Sequence, residues 1–187
     1  MSYITNLDMS VLNFIYDNIR CAFLDVLMPL ITLFGESGIF FIAIAVLLLI
    51  SRKTRKTGIT LGLSLLIGLV VCNLTLKPLI ARPRPYTVRT DVIMLVEALS
   101  DYSFPSGHTV AAFEAATVMM IRHRKVGIAF LVLAILIAFS RLYLFVHYPT
   151  DVLAGAVLGI ASGVAAALAV NAVYKRFQSK NDTPSIS

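Results

Sequence analysis

The chain has only two cysteines, Cys21 and Cys72, in 187 residues, which leaves no disulfide framework and no thiolate cage for zinc. Both lie in or beside apolar runs and read as small buried hydrophobes. Charge is scarce as well: Asp, Glu, Lys and Arg make up 14% of the residues, against about 25% in an average soluble domain. No acidic or His/Cys cluster offers a metal cage, so neither a metal nor another cofactor is expected. Residues 1–20 carry acids and polar groups where a cleavable signal would place its apolar core, so no cleaved leader is expected. Repeats and linkers are missing too, which predicts one domain over residues 1–178 and a polar, disordered tail over 179–187.

What fills the chain instead is apolar: 58% of the residues are hydrophobic and the mean hydropathy is +0.87. The net charge of +6 does not form a stripe that could read nucleic acid. The cations gather in Arg52–Lys56, Arg122–Lys125 and Lys175–Lys180, short clusters between apolar runs. That is the pattern of cytoplasmic loops in a protein threaded through a bilayer.

A helix needs about 20 apolar residues to cross the hydrocarbon core. Thr57–Leu76, Val126–Val146 and Asp151–Tyr174 have that length, and Gly107–Ile121 and Gly35–Ile50 reach it by borrowing a turn. Cys21–Phe34, apolar except for Asp25, reads as a half-helix or part of a sixth crossing, ended by the Gly35-Glu36-Ser37-Gly38 break. Leu7–Arg20 alternates apolar and polar residues at helical spacing and reads as an interfacial amphipathic helix. The expected fold is therefore an all-α, polytopic membrane helical bundle with five to six transmembrane helices. With the basic loops cytoplasmic, Lys77–Ser106 and the turn at Val146–Asp151 fall together on the opposite face.

Three segments put ionisable groups where a membrane protein avoids them, which makes them functional candidates. Lys77 ends one crossing, Arg84 follows seven residues later, and prolines stiffen the segment between and after them. Phe104-Pro105-Ser106-Gly107-His108-Thr109 runs straight into an apolar helix, whose exposed first-turn amides suit an anion. Ser140-Arg141 closes an apolar helix, where Arg141 demands an anionic partner, and His147 and Asp151 stand one helical turn apart across Pro149. A carboxylate at that spacing can fix the tautomer of His147 and leave its other nitrogen free to attack. Three cations and a helix start suit phosphate, and two histidines suit a double displacement.

These segments resemble the three signatures of the type 2 phosphatidic acid phosphatase superfamily. That pattern is Lys-x6-Arg-Pro, Pro-Ser-Gly-His and Ser-Arg-x5-His-x3-Asp, and Lys77 to Asp151 match every fixed position in order. The resemblance implies that His147 is the nucleophile, Asp151 orients it, and His108 protonates the leaving group and later activates water. It implies that Lys77, Arg84, Arg141, Ser106 and the Gly107 amide hold the phosphoryl oxygens, without a metal. The implied substrate is a membrane lipid phosphate or diphosphate: an isoprenyl diphosphate carrier, phosphatidylglycerophosphate or phosphatidic acid. Phosphate transfer to another acceptor, and lipid-phosphate binding or transport without catalysis, remain alternatives at this point. The oligomeric state is left open.

Several residues are set aside. Glu114, inside a crossing, reads as a buried structural carboxyl that Asn73 could meet across helices. His123 reads as solvated in a basic loop, and Arg82, Tyr86, Arg89 and Glu97 as outer-loop residues without an assigned role. Gly155, Gly159 and Gly163 read as a close-packing face, with dimerisation as the lesser reading.

Overall fold

The structure, a computed structural model, describes residues 3–181. Its elements are helices: α1 (Tyr3–Asn18), α2 (Ala22–Leu33), α3 (Ile39–Ile50), α4 (Arg55–Gly68), α5 (Lys77–Ile80), α6 (Pro85–Val88), α7 (Gly107–Arg122), α8 (Arg124–Tyr143) and α9 (Pro149–Asn181). A short 3₁₀ turn, Glu36–Gly38, joins α2 to α3, and a π-helix, Leu69–Leu76, joins α4 to α5. The all-α bundle expected from the sequence is the fold observed.

Among the described residues, three segments are long and apolar enough to cross a membrane: Arg55–Val88, Arg124–Tyr143 and Pro149–Gln178. Of the five to six crossings expected, Cys21–Phe34 forms a half-helix, one of the two readings open to it, and Gly35–Ile50 forms a helix that borrows no extra turn. Helices α2 and α3 hold 12 residues each, about 18 Å at 1.5 Å per residue, short of the roughly 30 Å hydrocarbon core. Gly38, at φ +67°, adopts the left-handed backbone that ends the 3₁₀ turn and separates them. The break falls at Gly35-Glu36-Ser37-Gly38, where the sequence interrupts its apolar run.

Helices α4, α7, α8 and α9 form the body, with α7 packed against both α8 and α9. The core that α3 shares with them holds Phe41, Leu61, Ala112, Ala115, Val118, Ala134 and Ile137. Glycines set the closest approach: a Cβ on Gly159 would lie 2.5 Å from the Val110 carbonyl oxygen, and one on Gly155 would lie 2.9 Å from that of Ser106. The glycine series is thus consumed by the α7–α9 contact within one chain. That contact brings the start of α7 against the start of α9, where the Ser106 amide donates to the Asp151 carbonyl at 3.1 Å.

The first helix begins at Tyr3, a turn earlier than the sequence suggested, and it has two apolar faces. Leu12 and Ile15 are buried against Phe145, Val146 and Tyr148, while Ile4, Leu7 and Phe14 are exposed. The lone charge of α2, Asp25, is met by Arg20 at 3.1 Å and by the Tyr143 hydroxyl at 2.7 Å.

The three basic clusters meet at one end of the bundle. Lys56 lies 4.9 Å from the Tyr174 ring centre, Arg122 donates to Asn171, and the Thr57 hydroxyl lies 3.2 Å from His123 Nε2. His123 therefore has a partner, where the sequence left it solvated. Helix α9 continues through Asn181, past the expected start of the tail, and residues 182–187 lie outside the described residues.

Candidate active site

At the opposite end, the π-helix leads into Lys77, and π segments recur at functional positions. Ala81, left-handed at φ 48°, ends α5 and turns the chain so that Arg82 and Arg84 come back over the bundle. Ser106 stands at the start of α7, but its side chain makes no cap hydrogen bond; it accepts instead from the Thr109 hydroxyl at 2.9 Å. Between α8 and α9 the backbone folds tightly, with Phe145 left-handed at φ 58° and the amides of Val146 and His147 both donating to the Arg141 carbonyl.

These turns bring Lys77, Arg84, Gly107, His108 and His147 to the wall of one cavity of about 840 Å³. Gly107 is packed where a Cβ would lie 3.2 Å from Asn73 Oδ1 and 3.9 Å from Lys77 Nζ. Arg84 donates to the Val146 carbonyl at 2.8 Å and its Nη1 stands 3.3 Å from His147 Nε2. His147 Nδ1 is 3.5 Å from Asp151 Oδ2. With the proton on Nδ1, the ring turns an N–H toward Asp151, beyond hydrogen-bond reach, and its Nε2 lone pair accepts from Arg84. Burial, with the Arg141 and Arg84 cations, pushes the His147 ring down to about 3 against the pull of Asp151, so the imidazole is neutral near pH 7.

Asp151 is fully buried and held from several sides: by Arg82 Nη1 at 2.5 Å, by the Tyr148 amide at 2.9 Å, and by the Ser103 hydroxyl. Arg82 also donates to Thr150 and, at 2.7 Å, to Asp8 of α1. Asp8 in turn accepts from the Thr150 amide at 3.0 Å. Arg82, set aside in the sequence reading, is thus bound directly to the carboxylate beside His147. Its alternating position within Arg82-Pro83-Arg84-Pro85 was the available signal; Asp8 gave none.

Two further carboxylates were missed. Asp101 receives Lys77 Nζ and, at 2.5 Å, Arg84 Nη2. Glu36 lies 3.7 Å from His108 Nε2, and Gly35 packs against the same ring. Burial would raise the Asp101 carboxyl, but the Lys77 and Arg84 cations outweigh it and hold it down at about 2.

The remaining assignments fall out unevenly. Arg141 is buried and donates from Nη1 to the Thr32 hydroxyl at 2.5 Å. Ser106 is fully buried behind the cavity wall, so its side chain does not face the cavity. Glu114 does line the cavity, packed against Gly68, and Asn73 lies beside Gly107.

A buried His–Asp pair, a second histidine and two cations around one cavity, at one end of an apolar helical bundle, define a class of membrane enzyme site. The chain belongs to the PAP2 superfamily, which it matches over residues 57–175. It is 35% identical over 141 residues to an undecaprenyl-diphosphatase from Sulfolobus acidocaldarius, covering 75% of this chain and 68% of that protein. It resembles the crystal structure of Aquifex aeolicus LpxE with a TM-score of 0.74 at 30% identity, over 86% of this chain and 94% of that one. It also resembles a transmembrane PAP2-type phosphatidylglycerolphosphate phosphatase from Bacillus subtilis, with a TM-score of 0.73 at 27% identity, over 100% of this chain and 90% of that one. The chain is a multi-pass membrane protein of this family.

Proposed function

We propose that this protein hydrolyses the terminal phosphate of a lipid phosphate or diphosphate through a phosphohistidine on His147. The observation that carries the reading is the arrangement of His147 itself: Nδ1 toward a fully buried Asp151 and Nε2 toward Arg84 at the cavity wall. Anion binding alone needs cations; it does not need a neutral imidazole oriented by a carboxylate.

In the first step Nε2 attacks phosphorus and the bond from phosphorus to the leaving oxygen breaks. His108 delivers a proton to that oxygen, which belongs to a lipid alcohol or, for a diphosphate, to the lipid monophosphate. Glu36, 3.7 Å from Nε2, is the carboxylate beside this ring. In the second step His108 takes a proton from water, the hydroxide attacks phosphorus, and inorganic phosphate leaves as the bond to His147 breaks. Lys77, Arg84 and the first-turn amides of α7 offset the charge on the phosphoryl oxygens, and Arg141 adds positive potential from behind.

The lipid tail has a route to this point. From His108 the cavity runs between α3 and α4 past Ile42, Val46, Leu49, Gly58 and Leu66, an apolar wall suited to an extended hydrocarbon chain. An isoprenyl diphosphate carrier and phosphatidylglycerophosphate are the favoured substrates, in keeping with the names of the relatives. The basic loops support a cytoplasmic position for the opposite end of the bundle, and on that support the reaction is assigned to the outer leaflet.

Purified protein in detergent, supplied with these lipids and EDTA, is expected to release phosphate, and His147→Ala to release none. Undiminished release by His147→Ala would remove the nucleophile, and loss in EDTA would remove the metal-free route.

A further inference from the structure

We propose that Asp101 is an internal competitor for the phosphate-binding cations and sets the threshold that an anion must exceed to enter the site. The inference rests on the reading above, in which Lys77 and Arg84 hold the phosphoryl group. Asp101 belongs to the loop of residues 89–106, between α6 and α7, and its side chain is 49% exposed while those of Lys77 and Arg84 are 10% and 3% exposed. One carboxylate oxygen receives Lys77 Nζ, the other receives Arg84 Nη2 at 2.5 Å, and the Asp101 carbonyl receives Arg84 Nε at 2.9 Å. Among the described residues, no other carboxylate pairs with either cation. Asp101 therefore sits on the donors that a phosphoryl group beside His147 Nε2 requires, 3.3 Å from Arg84 Nη1.

A carboxylate and a phosphoryl group present the same chemistry to these donors: a pair of oxygens sharing negative charge. Anion entry then requires Asp101 to give up its pairing, and its exposed position on a loop lets it turn toward water. Such an occlusion multiplies the dissociation constant of every anion by one common factor, the reciprocal of the open fraction. A common factor leaves the ranking of ligands unchanged but decides which of them bind at their actual concentration. Singly charged phosphodiester headgroups, dense at a bilayer surface, are pushed out of range. A terminal phosphate, with more charge and an in-line nucleophile behind it, still binds. Product phosphate is expelled by the same competition when Asp101 returns.

Phosphate binding to the full chain in detergent micelles, read by calorimetric titration, tests this without requiring turnover. Asp101→Asn keeps the shape and removes the charge. It is expected to bind inorganic phosphate roughly fivefold more tightly or better, a modest gain because the pair is half-exposed. Dimethyl phosphate, a monoanionic diester, is expected to gain by the same factor. If Asp101→Asn proves unstable, Asp101→Ser carries the same expectation. Equal or weaker phosphate binding by the variant would overturn the inference, because a carboxylate that merely aligns the cations helps binding. Failure of wild type and variants alike to bind phosphate would overturn the phosphate-site reading and the inference with it.

Discussion

Arg82 donates to Asp151 at 2.5 Å and to Asp8 at 2.7 Å, so one guanidinium joins the N-terminal helix to the carboxylate beside His147. Arg82→Gln leaves two facing carboxylates around Thr150 with no cation between them, and frees Asp151 to shift or take up a proton. The expected loss is on the order of 10²-fold in kcat with little change in KM, since the fault lies in alignment of the nucleophile. Adding Asp8→Asn relieves the like-charge contact and restores part of kcat. A loss carried by KM, with no recovery in the double variant, would show that Arg82 serves substrate binding instead.

Asp151→Asn keeps the hydrogen-bonding shape but removes the charge that supports a positively charged His147. By comparison with buried carboxylates that orient catalytic histidines, kcat is expected to fall by about 10³- to 10⁴-fold. Phosphate affinity should stay within a few-fold of wild type, because Asp151 touches none of the phosphate-facing donors except through His147. Near-normal kcat in this variant would contradict the role given to Asp151.

The protonation of His147 can be read directly. With only three histidines in the chain, ¹⁵N imidazole resonances can be assigned from single substitutions at His108, His123 and His147. His147 is expected to remain neutral at pH 5, with its proton on Nδ1, because burial among the Arg141 and Arg84 cations holds its titration to about 3. Since an unfolded histidine titrates near 6.5, folding is fully favoured above that pH and loses this contribution as pH falls from about 6.5 toward 3. A His147 resonance that titrates near 6.5 would be inconsistent with the buried site.

Helix packing beneath the site gives a paired test. Gly159→Val forces side-chain atoms into the Val110 carbonyl, where a Cβ alone would lie at 2.5 Å, and is expected to cost about 1–3 kcal/mol. Gly62→Ala meets nothing within 4 Å and should leave the thermal midpoint in detergent unchanged or slightly raised. Equal tolerance at both positions would argue against the α7–α9 interface described.

The site was legible in the sequence where its residues are fixed by local geometry. His147 and Asp151 lie one turn apart at the start of α9, and His108 sits in the first turn of α7, so spacing carries the information. The carboxylates that complete the network were not legible, because they depend on chain reversals. Asp101 meets Lys77 across 24 residues of sequence, and Asp8 meets Thr150 across 142. Neither distance leaves a periodic trace. The fold follows the same division: long apolar runs announced α4, α8 and α9, and the Gly35-Glu36-Ser37-Gly38 interruption marked where residues 22–50 divide into two short helices.

Rapid quenching during the first turnover of a lipid substrate labelled in its terminal phosphate tests the central claim most directly. The account predicts protein-bound label that survives base, is lost in acid, maps to the peptide containing His147 and is absent from His147→Ala. Phosphate release with no protein-bound label at any time, or with label on a residue other than His147, would contradict it.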